Sequence, residues 1–388
     1  YEFRFTIQSF DSSIFYMRRN KMYTLSLEII NKCNLNCTYC YLGEKKNTYM
    51  SVESAKKAVD IAVHEAQKQY DKTLIVYFIG GEPLMAFETM KSIVDYANGI
   101  GEKNGLKVKF STTINGTLIT RENVEFFIKN DFEIKVSIDG PQFVHDLNRH
   151  DYVGNGSYNR IMERLPYLRE YEEKTGKTVA YAHVVTKNNY QFFEQSFRFL
   201  LDLKADKIES GIDYYCQWEP SEILELKEQI RRTFNLFKEE VKKRGKSFYW
   251  NLFEQHLQAF LVPCDFYACK AGLNNVYVAT DGNIYTCIEL PEFKIGNVNE
   301  GLNVLRIREI VNREDKAYQL CKQCDFMSHC KTRGCQASNI EINGNVYQPV
   351  EINCQVTKVM YELIENNISK NQLDKMGEEL KGKRIYEK

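Results

Sequence analysis

The sequence predicts an α/β protein: a parallel sheet with helical crossovers, followed by a smaller cysteine-rich module. Three observations carry this. Between residues 23 and 213, six apolar strand-like runs alternate with helical stretches, the pattern of consecutive βα units. Eight of the twelve cysteines crowd into residues 264–354, where turn residues separate them. At 388 residues the chain is long enough for two cores.

The strand runs are 24–30, 73–79, 107–113, 133–138, 178–185 and 206–213. Helical stretches lie between them near 51–69, 85–103, 120–129, 157–173 and 189–203. Right-handed crossovers follow for such units, and the sheet is open or closed. Residues 1–22 mix aromatics and charges without a period. Two charged amphipathic helices, near 221–243 and 247–260, bridge to the cysteine-rich module. The Lys/Glu-rich tail, 369–388, reads as a solvated helix or frayed end.

The chain is organised around Cys33-Asn34-Leu35-Asn36-Cys37-Thr38-Tyr39-Cys40, spaced C-x3-C-x2-C, at the carboxyl end of the first strand. α/β folds place their ligands at such strand ends. Three thiols are one too few to close a four-cysteine cubane, so a cluster held here leaves one iron open. A buried helix face carrying Cys at i, i+4 and i+7 is the plain alternative. The interleaved Asn34, Asn36 and Thr38 argue against a helix interior.

Lys plus Arg is 52 and Asp plus Glu is 52, so formal charge is zero. This points away from a dominant nucleic-acid or anionic-membrane role. There is no apolar run of about 18 residues and no signal-like opening, so a cytoplasmic setting is expected. Clustered cysteines in a reducing compartment read as metal ligands rather than disulfides.

The triplet resembles that of the radical S-adenosylmethionine (radical SAM) enzymes, whose motif has this spacing, usually with an aromatic before the last Cys; Tyr39 fills that place. The resemblance implies a partial (βα)6 barrel, a [4Fe–4S] cluster on Cys33, Cys37 and Cys40, and S-adenosylmethionine chelated at the open iron. Reductive cleavage then yields a 5′-deoxyadenosyl radical, chemistry that the cofactor rather than the protein performs.

Further segments match by position. Gly80-Gly81-Glu82-Pro83 ends the second strand. Its glycines allow close backbone approach, and Glu82 is implied to hold the methionyl ammonium. Asn115, before the turn residue Gly116, is implied to border the adenosine pocket. Ser137-Ile138-Asp139-Gly140-Pro141 resembles the family's S-x-D-G, with Ser137 near ribose or carboxylate. Arg149 is the best candidate there to pair with a carboxylate, and a backbone group at Val185 is implied to read adenine. His183 reads instead as a satisfied strand histidine.

The later cysteines run Cys264-x4-Cys269-x17-Cys287, then Cys321-x2-Cys324-x5-Cys330-x4-Cys335, then Cys354. With Gly282 before Cys287, this resembles the SPASM domain of peptide-modifying radical SAM enzymes. The departure is x4 rather than x3 before Cys335, where Gly334 absorbs the extra residue. Two auxiliary [4Fe–4S] clusters are implied, on Cys264, Cys269, Cys287 and Cys335, and on Cys321, Cys324, Cys330 and Cys354. Structural zinc is the rival, since Cys-x2-Cys is also zinc spacing.

The expected organisation is an N-terminal segment 1–22, a radical SAM partial barrel 23–215, bridging helices 216–263, a SPASM domain 264–360 and a tail 361–388. The expected function is thioether installation, Cys sulfur to carbon, in a ribosomally made peptide. Alternatives are a carbon–carbon cyclophane link, formylglycine formation in a sulfatase, and a non-catalytic iron–sulfur or zinc protein. Expected partners are a precursor peptide or protein and a reductant such as flavodoxin or ferredoxin. Cys216 reads as a leftover thiol, and Asp213, Asp265 and Glu289 are carboxylates of which none is singled out as a general base.

Overall fold

The structure is a computed structural model that describes residues 22–287 and 290–385. Segment 1–21, Glu289 and the last tail residues lie outside the described residues. Eleven strands run in chain order. They are β1 Tyr23–Ile30, β2 Thr73–Gly80, β3 Lys107–Ile114, β4 Glu133–Ser137, β5 Ala180–Val185, β6 Lys207–Ile212, β7 Tyr249–Trp250, β8 Asn275–Val278, β9 Asn283–Tyr285, β10 Lys294–Asn297 and β11 Gly301–Leu302. The first six lie within about two residues of the runs expected from the sequence. The chain is an α/β protein, and by packing it divides into two compact units: residues 22–182 with 270–312, and residues 183–269 with 313–385.

In the first unit β1 to β4 and the start of β5 pair in parallel, in chain order. Helices Val52–Gln67, Phe87–Lys103 and Arg121–Lys129 supply the crossovers. Their ends follow local chemistry. Ser51 caps the first through the Ser54 amide, and Thr120 and Asn123 form a reciprocal box at the third. Phe78, Phe110, Phe127 and Phe132 pack at centroid separations of 4.9–6.4 Å. Each buried ring stabilises by about 1.5–3 kcal/mol.

The sequence reading placed no strands in residues 275–302. There β8 pairs in parallel with β1, and β9, β10 and β11 follow antiparallel. These strands are two to four residues long, too short for periodicity to register.

The second unit holds the end of β5, β6 and β7, the last two in parallel. The long helix Pro220–Arg244 matches expectation. The helix expected at 247–260 begins at Asn251, because Tyr249–Trp250 joins the sheet. Trp250 is fully buried among Phe197, Phe237 and Phe193. The tail forms the helix Lys370–Ile385. Among the described residues no helix is long and apolar enough to cross a membrane.

Candidate active site at the carboxyl end of the sheet

The cysteine loop leaves β1 at a bulge: Glu28 pairs with Ile79 and Ile30 with Gly80, so Ile29 is extra. A bridge between Ile30 and Tyr49 closes the base of the loop. Asn31 N–H donates to Thr48 O at 3.0 Å, and Met50 N–H to Ile29 O at 3.0 Å. Leu35, fully buried, anchors the loop. Glu28 is also buried, and accepts from Asn31 Nδ2 at 2.8 Å and from the Thr280 amide at 3.2 Å. The sequence reading missed this carboxylate, because its partner amide lies 252 positions away.

Cys33 is buried; Cys37 and Cys40 are half-buried, and none of the twelve cysteines forms a disulfide. Leu35 N–H donates to Cys33 Sγ at 3.4 Å and Asn115 Nδ2 at 3.8 Å. Burial pushes the Cys33 thiol up to about 12, and Glu82 adds to this. Burial also raises Cys37, against the guanidinium of Arg149. Both thiols therefore hold protons at neutral pH until a metal displaces them. Among the described residues no three His, Cys, Asp or Glu side chains stand in metal-holding geometry. The donor chemistry nevertheless fits a cluster: three reduced thiols on one loop, with Cys37 near enough to raise Cys33 and Cys40 near enough to raise Cys37, and N–H donors aimed at the Cys33 sulfur.

Gly80 and Gly81 are required by the chain itself. A Cβ on Gly80, at φ +128°, would lie 2.0 Å from Ile30 O. One on Gly81 would lie 2.1 Å from Lys32 O. So the backbone that makes the close approach is the segment entering the cysteine loop. Glu82 is fully buried, and both its oxygens accept backbone N–H groups: Leu84 at 3.1 Å and Asn115 at 2.7 Å. Burial still lifts it to about 7. A cation arriving beside it would restore the charged form.

Asn115 reaches Asn34 Oδ1 at 2.8 Å, and Asn34 reaches Thr117 Oγ1 at 2.8 Å. This ties the β3 end to the thiol loop. Ser137 ends β4 and is buried. Asp139, fully buried, accepts from the Tyr39 hydroxyl at 2.7 Å. Arg149 Nε lies 3.1 Å from the same carboxylate, so the two opposite charges are paired in the buried site. In this structure Arg149 is therefore already committed to a carboxylate of the chain.

His145 is fully buried, and its Nδ1 accepts from Asp139 N–H at 3.1 Å. Its Nε2 then carries the proton and donates to Ser157 Oγ at 2.8 Å. Burial and Arg149 hold it well below the usual histidine range, as this neutral tautomer requires.

Val185 ends β5, and its carbonyl accepts from Asp213 N–H at 2.8 Å. His183 meets Ser210 Oγ at 2.6 Å, the satisfied strand histidine expected. Cys216 is half-buried and pushed up to about 11 by burial and Asp213. Asp213 itself accepts from Tyr215 N–H at 2.9 Å.

Cys321 lies in the short helix Gln319–Lys322, Cys324 and Cys330 on the turns that follow, and Cys354 on the helix Glu351–Asn367. Cys324 and Cys330 are near enough to raise Cys321, and all three lie near enough to raise Cys354, which burial first pushes up to about 12. The Cys264 amide donates to Ser328 O at 3.0 Å, and its thiol lies near Cys330. Cys269 and Cys335 are exposed. Gly334 packs so tightly that a Cβ would sit 1.2 Å from Phe266 O. Cys287 belongs to the first unit, just beyond β9, and is exposed.

Residues 27–200 match the profile of the Radical SAM superfamily. This segment is a radical SAM domain. The chain is accordingly an enzyme, and the domain implies S-adenosylmethionine and a [4Fe–4S] cluster. The chain is 28% identical over 375 residues to a cysteine-type anaerobic sulfatase-maturating enzyme of Clostridium novyi, covering 88% of this chain and 93% of that one. It is 21% identical to the radical SAM cyclopropyl synthase TigE of Paramaledivibacter caminithermalis, covering 90% and 76%. Its fold is similar to that of anSMEcpe solved with AdoMet and the Cp18Cys peptide: TM-score 0.71, 21% identity, covering 92% and 99%.

Proposed function

We propose that this radical SAM enzyme is a maturase of peptide or protein substrates, with a partial barrel over 23–215, bridging helices over 216–263 and a SPASM domain over 264–360. One observation carries the reading: the chain that bears the radical SAM loop also gathers Cys321, Cys324, Cys330 and Cys354 into a second thiol group. Four thiols suit a closed cluster, and an oxidative maturation has an electron to dispose of. The other auxiliary set is Cys264, Cys269, Cys287 and Cys335, which makes three clusters in all.

When bound, the cluster and S-adenosylmethionine supply a 5′-deoxyadenosyl radical able to take hydrogen from an unreactive C–H. The chain's own groups position the cofactor. Glu82 offers its carboxylate to the ammonium, and Asn115 and Ser137 line the strand ends that border the nucleoside. Tyr39 and Asp139 hold the loop, and Val185 offers its backbone to the adenine. The partners are a precursor peptide or protein and a cytoplasmic one-electron donor such as flavodoxin or ferredoxin.

The product proposed is a thioether from a substrate cysteine to carbon, with a cyclophane link as its variant. The sulfatase-maturating relative, aligned along nearly its whole length, favours a second reading, oxidation of a cysteine or serine to formylglycine. Mass spectrometry of a candidate peptide after anaerobic turnover separates them. Loss of two hydrogens with no carbonyl reactive toward a hydrazine supports crosslinking, and a hydrazine-reactive aldehyde at a former cysteine or serine supports formylglycine. Turnover of S-adenosylmethionine with no change in any peptide or protein would reject the maturase reading.

A further inference from the structure

The segment after β4 lies along the cysteine loop in fixed register. Asn36 N–H donates to His150 O at 2.7 Å, and Thr38 N–H donates to Asn148 O at 3.0 Å. Thr38 Oγ1 also reaches Asn148 Oδ1 at 2.8 Å. Asn36 and Thr38 flank Cys37, and Asn148 and His150 flank Arg149. The register therefore sets Arg149 against Cys37. From behind, Ser157 donates to the Arg149 carbonyl through its amide at 3.0 Å and its hydroxyl at 2.9 Å. His145 holds that hydroxyl at 2.8 Å.

The side chain is fixed as firmly. Its guanidinium lies over the Tyr39 ring at 5.2 Å and beside Asp139, and Arg149 is 6% exposed. Tyr39 adjoins Cys40 and is tied to the same carboxylate at 2.7 Å. Such a planar cation, stacked and paired in a dry site, keeps its charge. A second role as ligand to a substrate carboxylate would require it to leave Asp139.

We propose that Arg149 is a positioning residue that braces the thiol loop with Asp139 and Tyr39 and sets the cluster's reduction potential by its charge, rather than binding the carboxylate of S-adenosylmethionine. Net charge near a cluster sets its potential, and a fixed cation favours the reduced form. Asp139, paired with it, opposes it by its charge. The inference depends on the radical SAM domain alone and holds whatever product the enzyme makes.

The test is an EPR-monitored redox titration of reconstituted full-length protein, following the signal that S-adenosylmethionine perturbs, together with equilibrium dialysis of that ligand. Arg149→Gln should lower the ratio of reduced to oxidised cluster at a fixed poise by about tenfold. Arg149→Lys should restore most of it, and ligand affinity should change by less than about threefold in both. Asp139→Asn should move the potential the opposite way, and decides the matter if Arg149→Gln does not fold. An unchanged potential with about a tenfold or greater loss of affinity in Arg149→Lys would overturn the proposal. So would an unchanged or lowered potential in Asp139→Asn.

Discussion

The two thiol regions are built on opposite principles. The loop 31–49 is short, springs from a parallel strand and is pinned at its base, at Asn36, at Thr38 and at Tyr39. The stretch 313–350 has only short helices joined by turns, and its three grouped thiols lie near Cys354 on a separate helix. In the first, sheet and buried polar bonds hold the thiols by themselves. In the second, the cluster proposed there would supply much of the order, since turns bury little apolar surface.

Metal removal should split the two regions most sharply. Iron chelation should open residues 313–350 to limited proteolysis while residues 22–182 stay protected. Equal cleavage of both would refute the contrast. Fully reconstituted protein should hold about twelve iron, and Cys330→Ala about eight. Changing Cys33, Cys37 and Cys40 together to Ala should abolish deoxyadenosine formation while the C-terminal iron remains.

Backbone crowding makes a smaller, local test. Gly334→Ala should force Phe266 away and destabilise the second unit by about 3 kcal/mol or more in denaturant titration. Gly81→Ala should instead displace the entry to the first loop, costing iron there with the auxiliary iron unchanged. Next, Arg333 is buried, bonds Asp315 and the Met327 carbonyl, and covers the Phe266 ring. Arg333→Ala should cost about 2–3 kcal/mol and weaken retention of the second cluster.

A further test concerns pH. Glu254 is buried with Oε1 unpartnered, and burial lifts it from 4.5 to about 8. The folded chain keeps this proton up to pH 8, whereas the unfolded chain releases it near pH 4.5. The contribution of Glu254 to stability should therefore fall as pH rises between those values and then level off. Glu254→Gln should flatten that slope in urea titrations between pH 5 and 8, and an unchanged slope would refute the assignment.

The six main strands were legible because each is an apolar run of five to eight residues ended by a turn. The thiol spacing and the Gly-Gly-Glu segment were legible because their chemistry is local. The Arg149 commitment was not, since Tyr39 and Asp139 stand 100 positions apart. Nor was β8, whose four residues become a strand only against β1.

By itself, the order of residues determined which thiols exist, where the strands fall and what each strand end offers, because propensity and spacing act over a few residues. Tertiary structure alone decided that Gly80 and Gly81 yield to the chain's own carbonyls, that Glu82 brackets two strand ends and that Arg149 faces Cys37. Those outcomes depend on which distant backbones meet, and burial then determines which charges each must share.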